Sequence, residues 1–397
     1  MIPEANEVNN LFKKLIKPRY LTTFLFLLCL LVFFLLSMKP FAREVWYAVS
    51  AGASPQQVET RYNADLPGRT GFITLNGGFQ RLIGKREVNE RYRLDNGQMT
   101  YVIPALDMTA IAENTVAFAQ ALEEENIPFL YVNTPFKIQP DDKQLPVSIE
   151  DCSNENADAF LELLRSAGVE TLDLREAERA ENLQHYSLFF PTDHHWTPET
   201  GLWASRHIAD AISSRDSALA VDPALLDSDR YSVSVLKNIY LGSHGRRVGP
   251  WYAGMDDLSL ITPRFSTSLR FSVPAEGLEK EGTFEESVLF PEKLTEGGLL
   301  DTSRYDVYCG GEYPLMRIEN LSGGNGRRLL VLKDSFSLVV APFLSLGYDI
   351  VDYVDLRLFG SGLLDLIHET EPDYVIVLYN PGALEDNNTV MFDFLSR

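Results

Sequence analysis

Cysteine is scarce in this chain, with Cys29, Cys152 and Cys309 the only three among 397 residues. No two of them have the close spacing of a zinc site, which excludes a cysteine-built structural metal. Cys29 falls in an apolar run. Cys152 and Cys309 are left, and the sequence leaves open whether they form a disulfide or stay two free thiols. Positive charge is also in short supply, with 35 Lys and Arg against 56 Asp and Glu, a net charge of −21. Four of those cations, Lys13, Lys14, Lys17 and Arg19, precede residue 38, so the remainder carries 31 basic residues against 54 acidic. So acidic a surface excludes a nucleic-acid partner, because phosphate attraction needs a basic face. At long range it also disfavours a strongly anionic polymer. Internal repeats and low-complexity tracts are lacking too.

What is present begins with one long hydrophobic run. Leu21 to Met38 includes thirteen uncharged residues from Phe24 to Leu36, close to the roughly 17–20 residues that a membrane helix needs. The early positive charges all precede it, so the sequence predicts a cytoplasmic tail over 1–20 and a single span over 21–38. The rest of the chain would then lie outside the cytoplasm, anchored to the cell membrane. A cleaved signal peptide is the rival reading. The run is long for one, and the nearest small-x-small site, Ala51-Gly52-Ala53, lies well beyond it.

Residues 39–103 read as a polar stalk followed by a lead-in of β-hairpins. Asn76-Gly77-Gly78 and Asn96-Gly97 supply the turn signals, and Gly71 to Leu75 an alternating run. From 104 to 397 the pattern is α/β. Helices are expected over Met108–Glu125, Asn156–Ala167, Pro198–Ser213, Phe336–Leu346 and Ser361–Thr370. Strands are expected over 128–133, 170–174, 328–332, 348–354 and 373–378. Such alternation implies a mostly parallel sheet with helices on both faces. Residues 214–325 break the rhythm and read as an inserted region of irregular and β structure.

Two short phrases carry chemistry. Phe190 to Pro198 contains Asp193-His194-His195-Trp196, and Val331 to Ser337 contains Lys333-Asp334-Ser335. A serine hydroxyl is a weak nucleophile until a base within hydrogen-bond reach takes its proton and a third group orients that base. Ser335 falls where a strand gives way to a helix, an exposed-serine turn whose helix N-terminus would favour an oxyanion. The competing reading makes it a helix cap. In an extended segment Asp193 and His195 leave on one side, which suits an orienting acid and a base, while His194 points away into packing. A third reading takes Asp193, His194 and His195 as metal ligands, although no further ligand stands out.

The Asp-His-His-Trp phrase resembles the signature of the bacterial DHHW-motif proteins, related to the alginate O-acetylation proteins and SGNH-hydrolase-like. The similarity runs from about residue 70 onward. It includes Pro135-Phe136-Lys137, the phrase with Asp193 and His195, Asp334-Ser335-Phe336, and a late strand ending at Tyr379. As in the alginate group, the Asp-x-His element comes first and the serine later. Lys333 departs from the family's glycine before Asp-Ser, and His194 from the threonine of the alginate branch. The resemblance implies an SGNH-like α/β fold with Asp193, His195 and Ser335 as a triad. It further implies O-acetylation or deacetylation of carbohydrate through an acetyl-serine, with no cofactor and no catalytic metal. A membrane-bound O-acyltransferase would be the donor partner. Weaker site candidates are Asn380 and Tyr379 as oxyanion or substrate groups, and Arg357, unless it pairs with Asp355. Gly242, in the basic loop 242–247, and Lys137 would rim the acceptor groove. A non-enzymatic glycan- or partner-binding module is the alternative of a different class.

Overall fold

The computed structural model describes residues 18–140, 143–385 and 390–396. The chain divides into two compact units, one up to Leu75 and one from Asn76 onward. In the first, a helix runs over Pro18–Ala51. It is long and apolar enough to cross a membrane, with a mean hydropathy of 2.7 in its most apolar stretch. The expected span over 21–38 is its first half, and the tail up to residue 17 lies outside the described residues. The helix does not stop at Met38 but continues through Pro40. Beyond it Glu44 accepts hydrogen bonds from Arg43 and Arg61 at 2.8 and 2.7 Å. A second helix, Pro55–Ala64, starts on a Ser54–Gln57 capping box that satisfies otherwise orphaned amides.

The first expected hairpin is absent. Arg69–Leu82 is a helix, and Asn76, Gly77 and Gly78 lie inside it. Phe72, Leu75, Phe79 and Leu82 recur at helical spacing, and this period outweighs the short alternation of residues 71–75. Gly77 has a packing reason to be there: a Cβ on it would meet the Val248 carbonyl oxygen at 2.0 Å. Asn96-Gly97 does form a turn, between the short strands Arg91–Arg93 and Met99–Thr100.

The second unit is built on an eight-stranded sheet. Its order is Thr171–Asp173, Phe129–Asn133, Tyr374–Tyr379, Arg328–Lys333, Ile350–Val354, Leu315–Asn320, Leu269–Val273 and Leu278–Gly282. The first five strands are parallel and the last three pair antiparallel. Because side chains alternate along a strand, Leu329 and Val331 enter one core, shared with Leu202, Ile208 and Ile212 of the helix Pro198–Arg215. Leu330 and Leu332 enter the other, shared with Phe118 of Thr109–Glu124, Phe160 of Ser153–Ser166 and Ile367 of Leu363–Thr370. The fold is therefore an SGNH-like α/β sheet with helices on both faces.

Two expectations need correction. Residues 214–325 are not merely inserted beside the sheet. They supply three of its strands, together with a separate antiparallel ribbon of Tyr231–Tyr240 and Asp256–Pro263. The helix expected over 336–346 is broken into a 3-10 turn, Ser335–Val339, and a four-residue helix, Ala341–Leu344. Pro342 has no amide hydrogen to continue a helix begun at the serine. Cys152 and Cys309 are both free thiols.

Candidate active site

In open parallel sheets, functional groups collect at the carboxyl ends of strands near the point where strand order reverses. Here the chain steps from Arg328–Lys333 to Ile350–Val354 on one side, then returns to Tyr374–Tyr379 on the other. Ser335 follows the first of these strands and Asn380 the last. Asp334 fixes the serine turn, accepting from the Phe336 N–H at 2.9 Å and from the Asn380 N–H at 2.7 Å. Ser335 itself is half-buried.

Asp193, His194 and His195 sit in a tight loop. The Phe190 N–H donates to the His195 carbonyl at 3.1 Å and the Asp193 N–H to the Phe190 carbonyl at 3.2 Å. The loop is braced from beneath by Lys137, which is 1% exposed. Its ammonium donates to three backbone carbonyls, Phe190 at 2.6 Å, Pro191 at 3.1 Å and Asp193 at 2.5 Å. Trp196, fully buried, donates its indole N–H to the Phe336 carbonyl at 2.8 Å and so ties this loop to the serine turn.

The two phrases meet. His195 Nε2 lies 2.7 Å from Ser335 Oγ, and His195 Nδ1 lies 3.1 Å from Asp193 Oδ2. With Asp193 accepting at Nδ1–H, the neutral tautomer leaves Nε2 free to accept the serine proton. Burial pushes the His195 imidazole down to about 4, assisted by the His194 ring and opposed by Asp193. Burial alone would push the Asp193 carboxyl up. The two histidines and their hydrogen bonds outweigh it and hold the group well below the usual carboxylate range. The arrangement at neutral pH is thus a charged acid, a neutral imidazole and a hydroxyl in line.

Sequence reasoning missed four groups around this relay, all of them in residues 214–325. Tyr240 donates its hydroxyl to Asp193 Oδ2. Ser243 donates to Asp193 Oδ1 at 2.5 Å. Tyr305 stacks on the His195 ring, with centroids 4.5 Å apart. Asp256 accepts from Thr192 N and Oγ1 at 2.9 and 2.7 Å, anchoring the loop. Only Gly242-Ser243 carried a sequence signal, as part of the segment noted for its charge.

Other site candidates fall elsewhere. Gly242 is not on a flexible rim: it precedes the short helix Ser243–Val248, and a Cβ on it would lie 2.3 Å from Asp193 Cβ. Lys137 braces the loop and does not face a groove. The Asn380 side chain is spent on Thr134 Oγ1 and the Pro135 carbonyl, both at 3.1 Å, so it offers nothing to an oxyanion. The Tyr379 hydroxyl donates to the Met391 carbonyl at 3.0 Å in the core. Arg357 pairs with Asp355 through Nε at 2.9 Å and Nη2 at 2.5 Å. Nor does His194 point away. Its ring lies 3.8 Å from that of His195, and its Nδ1 lies 2.7 Å from Ser243 Oγ. The loop turns where an extended segment was expected, so alternate side chains no longer part. Potential ligand atoms of Asp193, His194 and His195 do lie within 4.8 Å of one another. Both Asp193 oxygens and both His195 nitrogens are already used in hydrogen bonds, which leaves this trio poorly suited to hold a metal.

Strand order, helix placement and the site at the sheet's carboxyl edge define an SGNH hydrolase-like fold. Residues 100–231 match the family described as the SGNH hydrolase-like domain of the acetyltransferase AlgX. That stretch includes Asp193 and His195 but not Ser335. Among solved structures, Bacillus cereus PatB1 superposes with a TM-score of 0.63 at 23% identity, over 76% of this chain and 98% of that one. Its form with a sulfonyl adduct gives a TM-score of 0.61 at 22% identity, over 76% and 98%. A DHHW family protein from Eubacterium siraeum DSM 15702 gives 0.58 at 14% identity, over 77% and 95%. These likenesses establish a shared fold, and the resemblance drawn from the DHHW phrase is borne out. A search of curated protein sequences finds no significant match.

Proposed function

We propose that this chain is a membrane-anchored serine acyltransferase that O-acetylates a carbohydrate outside the cytoplasm, or removes such acetyl groups. The observation that carries the reading is the contact of Ser335 Oγ with His195 Nε2 at 2.7 Å, backed by Asp193. In the first half-reaction Ser335 Oγ attacks the carbonyl carbon of an acetyl donor and its proton passes to His195 Nε2. The tetrahedral intermediate collapses, the donor oxygen leaves with that proton, and acetyl-serine remains. An acceptor hydroxyl then attacks the ester while His195 takes its proton, and Ser335 recovers the proton as the new ester departs. Water in place of the acceptor gives the esterase outcome. Asp193 stays ionised and stabilises the imidazolium that forms in each half. The Ser335 amide opens a 3-10 turn and so lacks an acceptor within it, which makes it a donor for the oxyanion.

No cofactor enters this scheme. The apolar helix would hold the catalytic unit at the membrane, where a membrane-bound acyltransferase is the donor partner the reading implies. The full chain, solubilised in detergent, is to be given an aryl acetate with and without oligosaccharide acceptors. Acetyl should appear on Ser335, and a sulfonyl fluoride should label it. Ser335→Ala and His195→Ala should each lower turnover by roughly a thousandfold or more, as deletions within such relays do. Undiminished turnover in both variants sinks the enzyme reading. Glycan binding with no turnover and no labelling would instead make the chain a binding module.

A further inference from the structure

Between Asp65 and Glu87 the sequence holds four cations, Arg69, Arg81, Lys85 and Arg86, and no acid. In a chain of 56 acids against 35 bases, that is a local reversal of sign. Most of the segment is the helix Arg69–Leu82. Phe72, Leu75, Phe79 and Leu82 fall on one stripe of it, with Ile83 just past its end, and each is 55 to 84% exposed. The packed side is the other one. A Cβ on Gly77 would collide with the Val248 carbonyl oxygen, and one on Gly78 would lie 2.9 Å from the Trp251 ring. Arg81 donates to the Tyr252 carbonyl at 3.1 Å, and the Tyr252 hydroxyl donates to the Lys85 carbonyl at 2.7 Å. Small residues thus fix the helix, and its large apolar ones are turned outward. Trp251, 58% exposed beside Gly78, adds to the outward surface. Contiguous apolar exposure of this kind marks an interaction surface.

The first unit places the start of this helix. After Ala51 the chain turns back along the apolar helix Pro18–Ala51. Arg61 bonds Glu44 at 2.7 Å, the Tyr62 ring lies 6.1 Å from that of Phe41, and the Phe72 ring lies 5.8 Å from that of Phe33. Each later residue meets an earlier one, so the return is antiparallel. Phe33 lies in the apolar run, five residues before Met38. At about 1.5 Å per residue this is roughly 8 Å within the span expected over 21–38. Amphipathic helices of a membrane surface bury their apolar face to a depth of about 5–10 Å.

We propose that the helix Arg69–Leu82, with Ile83 and Trp251, is a second membrane contact: an interfacial helix lying in the surface of a bilayer that contains anionic phospholipid. The apolar stripe would enter the acyl boundary. Arg69 and Lys85, at its two ends, would meet the headgroup phosphates. Arg86 is paired with Asp95 at 2.9 Å. A single helix of this size binds a bilayer reversibly. Held there by the preceding span, it acts at a high effective concentration, and modest affinity suffices. The proposal rests on the anchored reading for that advantage alone. The lipid-binding face itself depends only on the helix and Trp251.

The test uses the full chain in vesicles of phosphatidylcholine, alone or with an equal part of phosphatidylglycerol, whose acyl chains carry bromine. Bromine quenches indole emission on contact. Trp46→Phe serves as the background, since Trp46 is an exposed indole on the apolar helix. There the mixed vesicles should quench a component that disappears in Trp251→Phe. Phe79→Ser, Leu82→Ser and Ile83→Ser together should lower that component by roughly half or more; all three side chains are exposed, so the chain should still fold. Lys85→Glu should lower it in the mixed vesicles and leave it unchanged in phosphatidylcholine alone, because only anionic headgroups attract the lysine. Absence of a Trp251 component in the mixed vesicles, or a component indifferent to the serine substitutions, overturns the proposal. So does an indole shielded from lipid and from aqueous iodide alike, which would mean that a second copy or another protein covers the face. Resistance to an alkaline carbonate wash is read on the same samples. A chain that resists the wash without Trp251 quenching keeps the span and sinks the interfacial helix. Trp251 quenching in a chain that the wash releases does the reverse.

Discussion

At the scale of single residues, the site sets its own pH range. His195 accepts a proton from Ser335 only while it is neutral, and burial holds its pKa at about 4. Lowering the pH through that value protonates Nε2 and removes the base, so on the proposed mechanism activity should be present above about 4 and lost below it. The kcat/KM profile for an aryl acetate should therefore have its acidic limb near 4, where an unperturbed imidazole would place it near 6.5. A limb at the ordinary value would mean that His195 is well solvated in solution. Lys137 makes a separate prediction. Replacing it by methionine leaves the Phe190, Pro191 and Asp193 carbonyls without their donor. Destabilisation on the order of 3 kcal/mol is expected from buried acceptors left unpaired, read as a lower urea midpoint. Activity in the folded fraction should fall as well, because the same carbonyls hold the loop that carries Asp193 and His195.

At the scale of elements, the short helix Ser243–Val248 acts as a clamp on the acid. Gly242 lies against the Asp193 backbone, and Ser243 hydrogen-bonds its carboxylate. Gly242→Ala would push this clamp away from Asp193. A drop in kcat of roughly a hundredfold is expected from a displacement of about 1 Å in such a relay, with the far-ultraviolet circular dichroism spectrum unchanged. The parallel strands were legible in the sequence because buried strands read as continuous apolar runs, as Leu329 to Leu332 do. The helix over 198–215 was legible because Thr197 and Pro198 punctuate its start. Residues 214–325 were not, since antiparallel strands such as Leu269–Val273 are short and half-polar, and the partner that ties this strand to the rest of the sheet, Leu315–Asn320, lies far along the chain. The same distance hid Tyr240 and Tyr305, which reach the relay by tertiary packing alone. Arg69–Leu82 was misread because its Gly-Gly pair signals a turn locally, whereas its use is close packing against Val248. Asn380 illustrates a subtler limit. Its place at a strand end was readable, but not that its amide is consumed by neighbouring backbone.

At the scale of the whole molecule, an acidic α/β unit follows a helix fit to cross a bilayer. On the proposed anchoring, the full chain should stay with the membrane fraction through an alkaline carbonate wash. Release into the supernatant would indicate that the apolar segment is removed or does not span. Each half of the relay also belongs to a different half of the sheet. The loop with Asp193 and His195 follows Phe129–Asn133 and Thr171–Asp173, and Ser335 follows Arg328–Lys333.

Within the sheet the two halves are joined by Tyr374–Tyr379, the last strand along the described residues, which lies between Phe129–Asn133 and Arg328–Lys333. His195 and Ser335 are 140 residues apart along the chain. A chain made only as far as Ser335 therefore still lacks the strand that joins the two halves of the sheet. On the proposed mechanism, competence would depend on that strand filling the gap, so a chain truncated before Tyr374 should turn over no aryl acetate.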